Sequence, residues 1–223
     1  VVVKEMETRD YVGGAAIVAA HVAALGAKCT YLSVTGLDNE GSFVADSLHN
    51  YSVEPVLFTD HSRPTTLKIR YMVESQKLFR VSRLKEHRVS SDLEDRLIAE
   101  IINRAPLLDG ILVSDFVYGV ITPRIIKTLL KVKGDYGVPL YGDLQCSSQV
   151  GSVLKFQNFS LICPTEREAR IALGNQHDGV EYLANLLLEK TKSADIVLKL
   201  GRDGFISYRG GKAVEGFVQR QHF

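Results

Sequence analysis

Apolar positions recur along the chain with two spacings, and the switches between them divide it into elements. Residues 13–25 are Ala-rich with a helical pattern, and Gly26 stands where a C-cap glycine belongs. Residues 28–35 (KCTYLSVT) are β-branched and aromatic, which predicts a strand. Asp38 is placed to cap a helix running to about Asn50, and residues 53–59 predict a second strand. Then the rhythm changes. Residues 65–74 and 77–84 predict two strands rich in Arg, Lys and Tyr, joined by a turn near Ser75-Gln76. This pattern describes an exposed hairpin outside the core.

From Ser91 onward helix and strand alternate again. Ser91-Asp92-Leu93-Glu94 carries a capping-box signature for a helix to about Ala105. Residues 110–114 (GILVS) are wholly apolar, as in a strand buried on both faces, and Thr122-Pro123 opens the next helix. Residues 138–143, 159–163 and 196–200 repeat the buried-strand pattern, with helices expected at about 165–173 and 179–190. Residues 205–208 and 213–218 predict a terminal hairpin around Gly210-Gly211. Strands alternating with helices imply an α/β fold with a mostly parallel sheet covered on both faces. The expected organisation is an α/β core of residues 1–62 and 85–223, with residues 63–84 inserted into it.

Composition narrows the function class. The 223 residues are 45% hydrophobic and 24% charged, and the net charge is +1. That profile excludes a disordered tail, a collagen-like rod and a globally basic nucleic-acid binder. The neutral total hides a segment: between Arg63 and Arg88 eight basic residues face Glu74 and Glu86, so this window carries +6 on a body of −5. The longest apolar runs fall far short of the ~20 residues that span a bilayer. Cys29, Cys146 and Cys163 are odd in number and widely spaced, which predicts idle thiols in a reducing, cytoplasmic compartment. There is no zinc-type histidine spacing and no P-loop.

In parallel sheets ligands bind at the carboxyl ends of the strands. That singles out Asp115, Asp143, Thr165-Glu166-Arg167-Glu168 and Gly201. Carboxylates and glycines gathered at one edge suit Mg²⁺ and phosphate. Each position has a structural alternative: Asp at a strand end is a common cap, and Thr165-x-x-Glu168 is itself a capping box. Gly13-Gly14 either lets backbone approach a ligand or makes a tight turn. The basic hairpin is either a lid over an anionic substrate or an edge whose charges prevent aggregation.

The order of these features resembles the ribokinase-like (PfkB) carbohydrate kinases. Gly13-Gly14-Ala15-Ala16, Val18-Ala19 and Leu25-Gly26-Ala27 look like the family's first signature. Thr65-Thr66-Leu67-Lys68-Ile69-Arg70-Tyr71 with Gln76-Lys77-Leu78-Phe79-Arg80-Val81 is similar to the lid of the bacterial D-glycero-beta-D-manno-heptose 7-phosphate kinases, the kinase half of ADP-heptose synthase. Ser114-Asp115-Phe116, Gly119-Val120-Ile121-Thr122, Cys163-Pro164-Thr165 and Leu200-Gly201-Arg202-Asp203-Gly204 fit the same template. The resemblance implies a three-layer sandwich with a small β lid and ATP- and Mg²⁺-dependent phosphoryl transfer to a hydroxyl of a sugar or sugar phosphate. It also implies a homodimer through the lid, with no nucleic-acid or membrane partner. Carried onto this chain, Gly13, Gly14, Lys68, Arg70, Arg80 and Asp115 are expected on the substrate. Asp143, Thr165, Lys199, Gly201 and Gly204 are expected on the nucleotide, and Glu168 on the metal through water.

Family members place a catalytic Asp in a G-A-G-D signature, expected after Phe223 by alignment with residues 217–223. The resemblance therefore describes a kinase domain truncated at both ends and inactive by itself. Other departures lie inside the matched region. Ile17 stands for a substrate-contacting Asn, Thr165 for the Asn of N-x-x-E, Tyr118 for a Lys, Ser82 for a lid Asp, and Leu144-Gln145 for Pro-Lys. They motivate an alternative, a non-catalytic sugar-kinase homologue that binds rather than transfers. A nicotinamide-binding domain is a third reading, opposed by the lack of G-x-G-x-x-G after a first strand.

Overall fold

Two strand–helix units account for the chain, Val1–Lys85 and Glu86–Phe223. The computed structural model describes residues 4, 6–74, 76–145, 151–209 and 212–213. In the first unit, helix α1 (Ala15–Ala24) leads to β1 (Cys29–Thr35), α2 (Asn39–Asn50) and β2 (Val53–Thr59). The two strands pair in parallel from Cys29↔Val53 to Thr35↔Thr59, so α2 is the crossover between them. Val12, Ala16, Ala19, Leu48 and Val53 form the core cluster. Alanines on α1 leave room for close helix–strand packing.

Strands β3 (Leu67–Val73) and β4 (Gln76–Arg83) pair antiparallel as a separate two-stranded sheet. Its two faces differ in chemistry because side chains alternate. Ile69 faces Val81, and Tyr71 stacks on Phe79 with ring centroids 4.6 Å apart. On the other face Lys68 lies opposite Ser82 and Arg70 opposite Arg80. The expected exposed hairpin is present, and Ser75 of its turn lies outside the described residues.

The hairpin is rooted by a dense polar junction. Asp38 caps α2 by accepting from the Gly41 N–H at 2.9 Å, and its second oxygen accepts from the Thr65 N–H at 2.8 Å. The Thr65 hydroxyl in turn accepts from the Gly36 N–H at 2.9 Å. Gly36 is required sterically, since a Cβ there would meet Thr65 N at 2.6 Å. Beside this junction Asp60 accepts from Arg63 Nε at 2.6 Å and from the Ser62 N–H at 2.9 Å. Asp60 and Arg63 are almost wholly buried.

The second unit carries α3 (Ser91–Arg104), β5 (Ile111–Asp115), α4 (Pro123–Tyr136), β6 (Leu140–Leu144) and β7 (Leu161–Ile162). After them come α5 (Glu166–Leu173), α6 (Val180–Thr191), β8 (Asp195–Lys199), β9 (Phe205–Arg209) and β10 (Lys212–Ala213). The sheet order is β10-β9-β8-β7-β6-β5, parallel from β5 to β8 and antiparallel beyond. Leu140, Ile162, Ile196 and Leu198 on the strands and Leu183 and Leu187 on α6 are fully buried. The expected turn at Gly210-Gly211 and the strand beyond Ala213 lie outside the described residues, as does Cys146.

Two local expectations are corrected. Ser90, not Ser91, caps α3, its hydroxyl accepting from the Leu93 N–H at 3.3 Å. Glu94 does not reach back to close a box. Its buried carboxylate binds the Thr122 hydroxyl and Arg124, tying α3 to the start of α4. β5 is not covered on both faces: Leu112 is 46% exposed, beside Tyr141 at 36%. β5 also ends the described sheet order. Among the described residues no helix is long and apolar enough to cross a membrane.

Candidate active site

Because β5 to β8 are parallel, their carboxyl ends share one edge of the sheet. Asp115 ends β5, Asp143 is the penultimate residue of β6, and Lys199 ends β8. Between them, Cys163-Pro164-Thr165 follows β7, with Thr165 bridged in parallel to Lys199. The register places Ser114 beside Asp143. Backbone bonds from Gln145 N–H to the Asp115 carbonyl and from Lys199 N–H to the Pro164 carbonyl, both 2.8 Å, hold these ends in place.

Charge along this edge is arranged in two pairs. Lys199 Nζ lies 2.5 Å from Asp143 Oδ1. The Cys163 thiol feels both: burial and the Asp143 charge push its pKa up, and Lys199 opposes them. Asp115 is 4% exposed, accepts from the Val117 N–H at 2.8 Å through Oδ1, and pairs with Lys155 through Oδ2. Burial pulls the Lys155 ammonium down to about 8.

The loop after Asp115 is under steric constraint. Val117 holds φ 63°, a left-handed conformation costly for a β-branched residue. Gly119 has φ 82°, and a Cβ there would fall 2.1 Å from the His87 carbonyl oxygen. At the end of β8, Gly201 (φ 65°) and Gly204 (φ 91°) bracket a 3₁₀ turn closed by Leu200 N–H to the Gly204 carbonyl at 2.8 Å. Thr165 and Glu168 form the reciprocal capping box of α5: Glu168 Oε2 accepts from Thr165 N–H at 2.8 Å, and Thr165 Oγ1 from Glu168 N–H at 3.2 Å.

The sheet edge thus brings together Asp115, Asp143, Thr165, Lys199, Gly201 and Gly204, with Glu168 one turn into α5. Gly13, Gly14, Lys68, Arg70 and Arg80 belong to the first unit. Gly14 has φ 60° and ψ −140° just before α1, a conformation that favours glycine, whereas a Cβ at Gly13 would meet nothing within 4 Å. Lys155 was not legible as a site residue. It lies in a short 3₁₀ turn (Val153–Lys155) with no periodic pattern, and its partner is forty positions away. No cluster of three or more His, Cys, Asp or Glu side chains able to hold a metal occurs among the described residues. Mg²⁺ keeps several waters and binds through one or two carboxylates and substrate phosphates. Asp143 and Glu168 are the carboxylates of that type at this edge, Asp143 paired with Lys199 and Glu168 accepting from the Thr165 N–H.

The model of the pfkB family carbohydrate kinases matches residues 1–220. The chain is 31% identical over 216 residues to the bifunctional protein HldE of Hyphomonas neptunium, covering 92% of this chain and 44% of that protein. It is 28% identical over 220 residues to HldE of Bradyrhizobium diazoefficiens, covering 96% and 44%. The chain therefore spans less than half the length of these relatives. Its fold matches phosphofructokinase-2 from Escherichia coli in complex with fructose-6-phosphate, with TM-score 0.71 at 14% identity, over 96% of this chain and 72% of that one.

Proposed function

Because the chain belongs to the pfkB family of carbohydrate kinases, we propose that it is the kinase part of a protein that transfers the ATP γ-phosphoryl group to a hydroxyl of a sugar phosphate, with heptose 7-phosphate the leading candidate. The observation that carries the choice of a phosphorylated sugar is the cationic face of the hairpin, where Arg70 lies directly opposite Arg80 and next to Lys68. Guanidinium groups bind phosphate bidentately, and a neutral sugar has no use for three cations. The likeness to HldE over most of the chain supports the same substrate class.

Phosphoryl transfer is chiefly positioning and charge stabilisation. Lys199, with the turn from Gly201 to Gly204, supplies a cation and backbone N–H groups for nucleotide phosphates, and Asp143 and Thr165 flank them. Lys68, Arg70 and Arg80 hold the substrate's anionic group, with Gly13 and Gly14 offering close backbone approach. Asp115 acts on substrate from the end of β5. Mg²⁺, when bound, neutralises charge on the transferring phosphates. Glu168, through water, and Asp143 are the residues to hold it. A homodimer through the apolar face of the hairpin and a cytoplasmic location accompany this reading.

A second reading, a sugar-phosphate-binding homologue without transfer, is favoured by Asp143 and Asp115 each being paired with a lysine. One experiment separates the two. ADP release by the full-length gene product is measured with MgATP and heptose 7-phosphate, fructose 6-phosphate or the unphosphorylated sugars. Turnover confined to a phosphorylated sugar supports the kinase reading. Binding of that sugar phosphate with no ADP release supports the second, and turnover on neutral sugars alone overturns the substrate class.

A further inference from the structure

The Asp115–Lys155 pair has an inside and an outside. Asp115 is buried at the end of β5, its side chain 4% exposed, whereas the Lys155 side chain is 28% exposed. The carboxylate accepts from the Val117 N–H through Oδ1 and pairs by charge with the ammonium through Oδ2, which makes no hydrogen bond. The lysine is anchored by its neighbour. Phe156 is wholly buried, packs against Phe159 in a tilted pair with centroids 4.9 Å apart, and presses against Gly142 of β6, where a Cβ would be 2.8 Å from the Phe156 ring. Lys155 Nζ also lies 5.5 Å from that ring's centroid. Its position is thus set from three sides: a carboxylate, an aromatic face and a backbone that cannot shift without unseating Phe156.

From this geometry we propose that Lys155 is a phosphate-binding residue at the carboxyl edge of the sheet and that Asp115 is the group that positions it. An ammonium has three donors. Asp115 pairs with this ammonium by charge without a hydrogen bond to Oδ2, and the partly exposed side chain can present its donors to a ligand. Burial works against this ammonium's charge, so a second anion is favoured there more than at an open surface lysine. The ligand class is a phosphate ester or phosphoanhydride. This deepens the kinase reading, on which it rests for the choice of probes. It also redefines Asp115, which acts on substrate through the lysine it holds.

The test uses the full-length protein. Lysines are acetylated with limiting acetic anhydride, and Lys155 labelling is read by peptide mass spectrometry without ligand and with inorganic phosphate, MgATP or heptose 7-phosphate. Chloride at matched ionic strength is the control, and exposed Lys192 the internal standard. Labelling of Lys155 is expected to fall with at least one phosphate-bearing probe, while Lys192 is unchanged. Protection by MgATP alone places the lysine on the nucleotide, and by heptose 7-phosphate alone on the sugar. In parallel, Lys155→Met is expected to weaken binding of the protecting probe about 10- to 100-fold, the loss of one charge-assisted hydrogen bond, with Lys155→Arg retaining most of it. Unchanged labelling with all three probes overturns the proposal, and so does a folded Lys155→Met variant that binds all three as the wild type does. Protection without phosphoryl transfer leaves this inference standing and removes the kinase reading instead.

Discussion

Lys199 Nζ lies 2.5 Å from Asp143 Oδ1, so the ends of β8 and β6 place a cation and an anion on either side of the Cys163 position that follows β7. The thiol reports on this pair. Asp143 raises its pKa and Lys199 lowers it. Lys199→Met is therefore expected to push the pKa further up and slow Cys163 alkylation by iodoacetamide at pH 8 several-fold. Asp143→Asn is expected to speed it. Peptide-resolved alkylation rates check both, and equal rates in the two variants would show that the pair does not act on the thiol.

Acid should loosen the first unit. Burial would raise the Asp60 pKa, but hydrogen bonds from the Ser62 hydroxyl and N–H, with the Arg63 guanidinium, outweigh it and hold the carboxyl below its usual range. Asp38 is likewise held down by the Thr65 and Gly41 bonds, with Arg83 adding to them. Carboxylates with lowered pKa stabilise the fold above about pH 4 and lose that contribution as pH falls through the ordinary and then the depressed value. Asp60→Asn is expected to cost about 3 kcal/mol at neutral pH by removing the buried anion that faces the Arg63 guanidinium, and to flatten the acid limb. Urea denaturation at pH 7, 5 and 3 measures both effects.

Two glycines should respond to alanine with opposite signs. Gly119→Ala drives a Cβ into the His87 carbonyl and forces a left-handed φ on alanine. The expected loss is about 3 kcal/mol, or a Tm lower by roughly 6–12 °C. Gly134→Ala, inside α4 with open space around its Cβ, is expected to gain about 0.5–1 kcal/mol. Differential scanning calorimetry of the two variants decides it.

Glu168 carries a structural duty that can be separated from its proposed one. Glu168→Gln keeps an acceptor for the Thr165 N–H, so its stability should stay within about 0.5 kcal/mol of wild type. Glu168→Ala should lose about 1 kcal/mol with the box. Mg²⁺-dependent ATP binding should fall in both, and binding unchanged in Glu168→Gln would remove Glu168 from the metal.

What was legible in the sequence had a local cause. The Asp38 cap, the Thr122-Pro123 helix start and the Thr165–Glu168 box each span four residues, and the hairpin announced itself by alternation and charge. Of the carboxyl-edge residues, Asp115, Asp143, Thr165, Glu168 and Gly201 followed from parallel-sheet geometry, and Lys199 and Gly204 only from the family resemblance. What stayed hidden depends on partners far along the chain. Ser90 and Ser91 are equal as local caps, and the choice goes with Glu94 being drawn to Thr122 and Arg124. Lys155 acquires a role only through Asp115, and the openness of β5 at Leu112 depends on what packs over that face, which no periodicity encodes.

Arg70 and Arg80 face each other across the hairpin with nothing between their strands but the backbone ladder. Like charges placed opposite one another push the two strands apart. An anion lying across both guanidinium groups turns that repulsion into a pair of charge-assisted bonds. On the substrate role proposed for these two residues, the hairpin would be stiffest when loaded, with the ligand as a rivet and the stiffness of the apolar face behind it, with Tyr71 on Phe79, as a readout of occupancy on the cationic side.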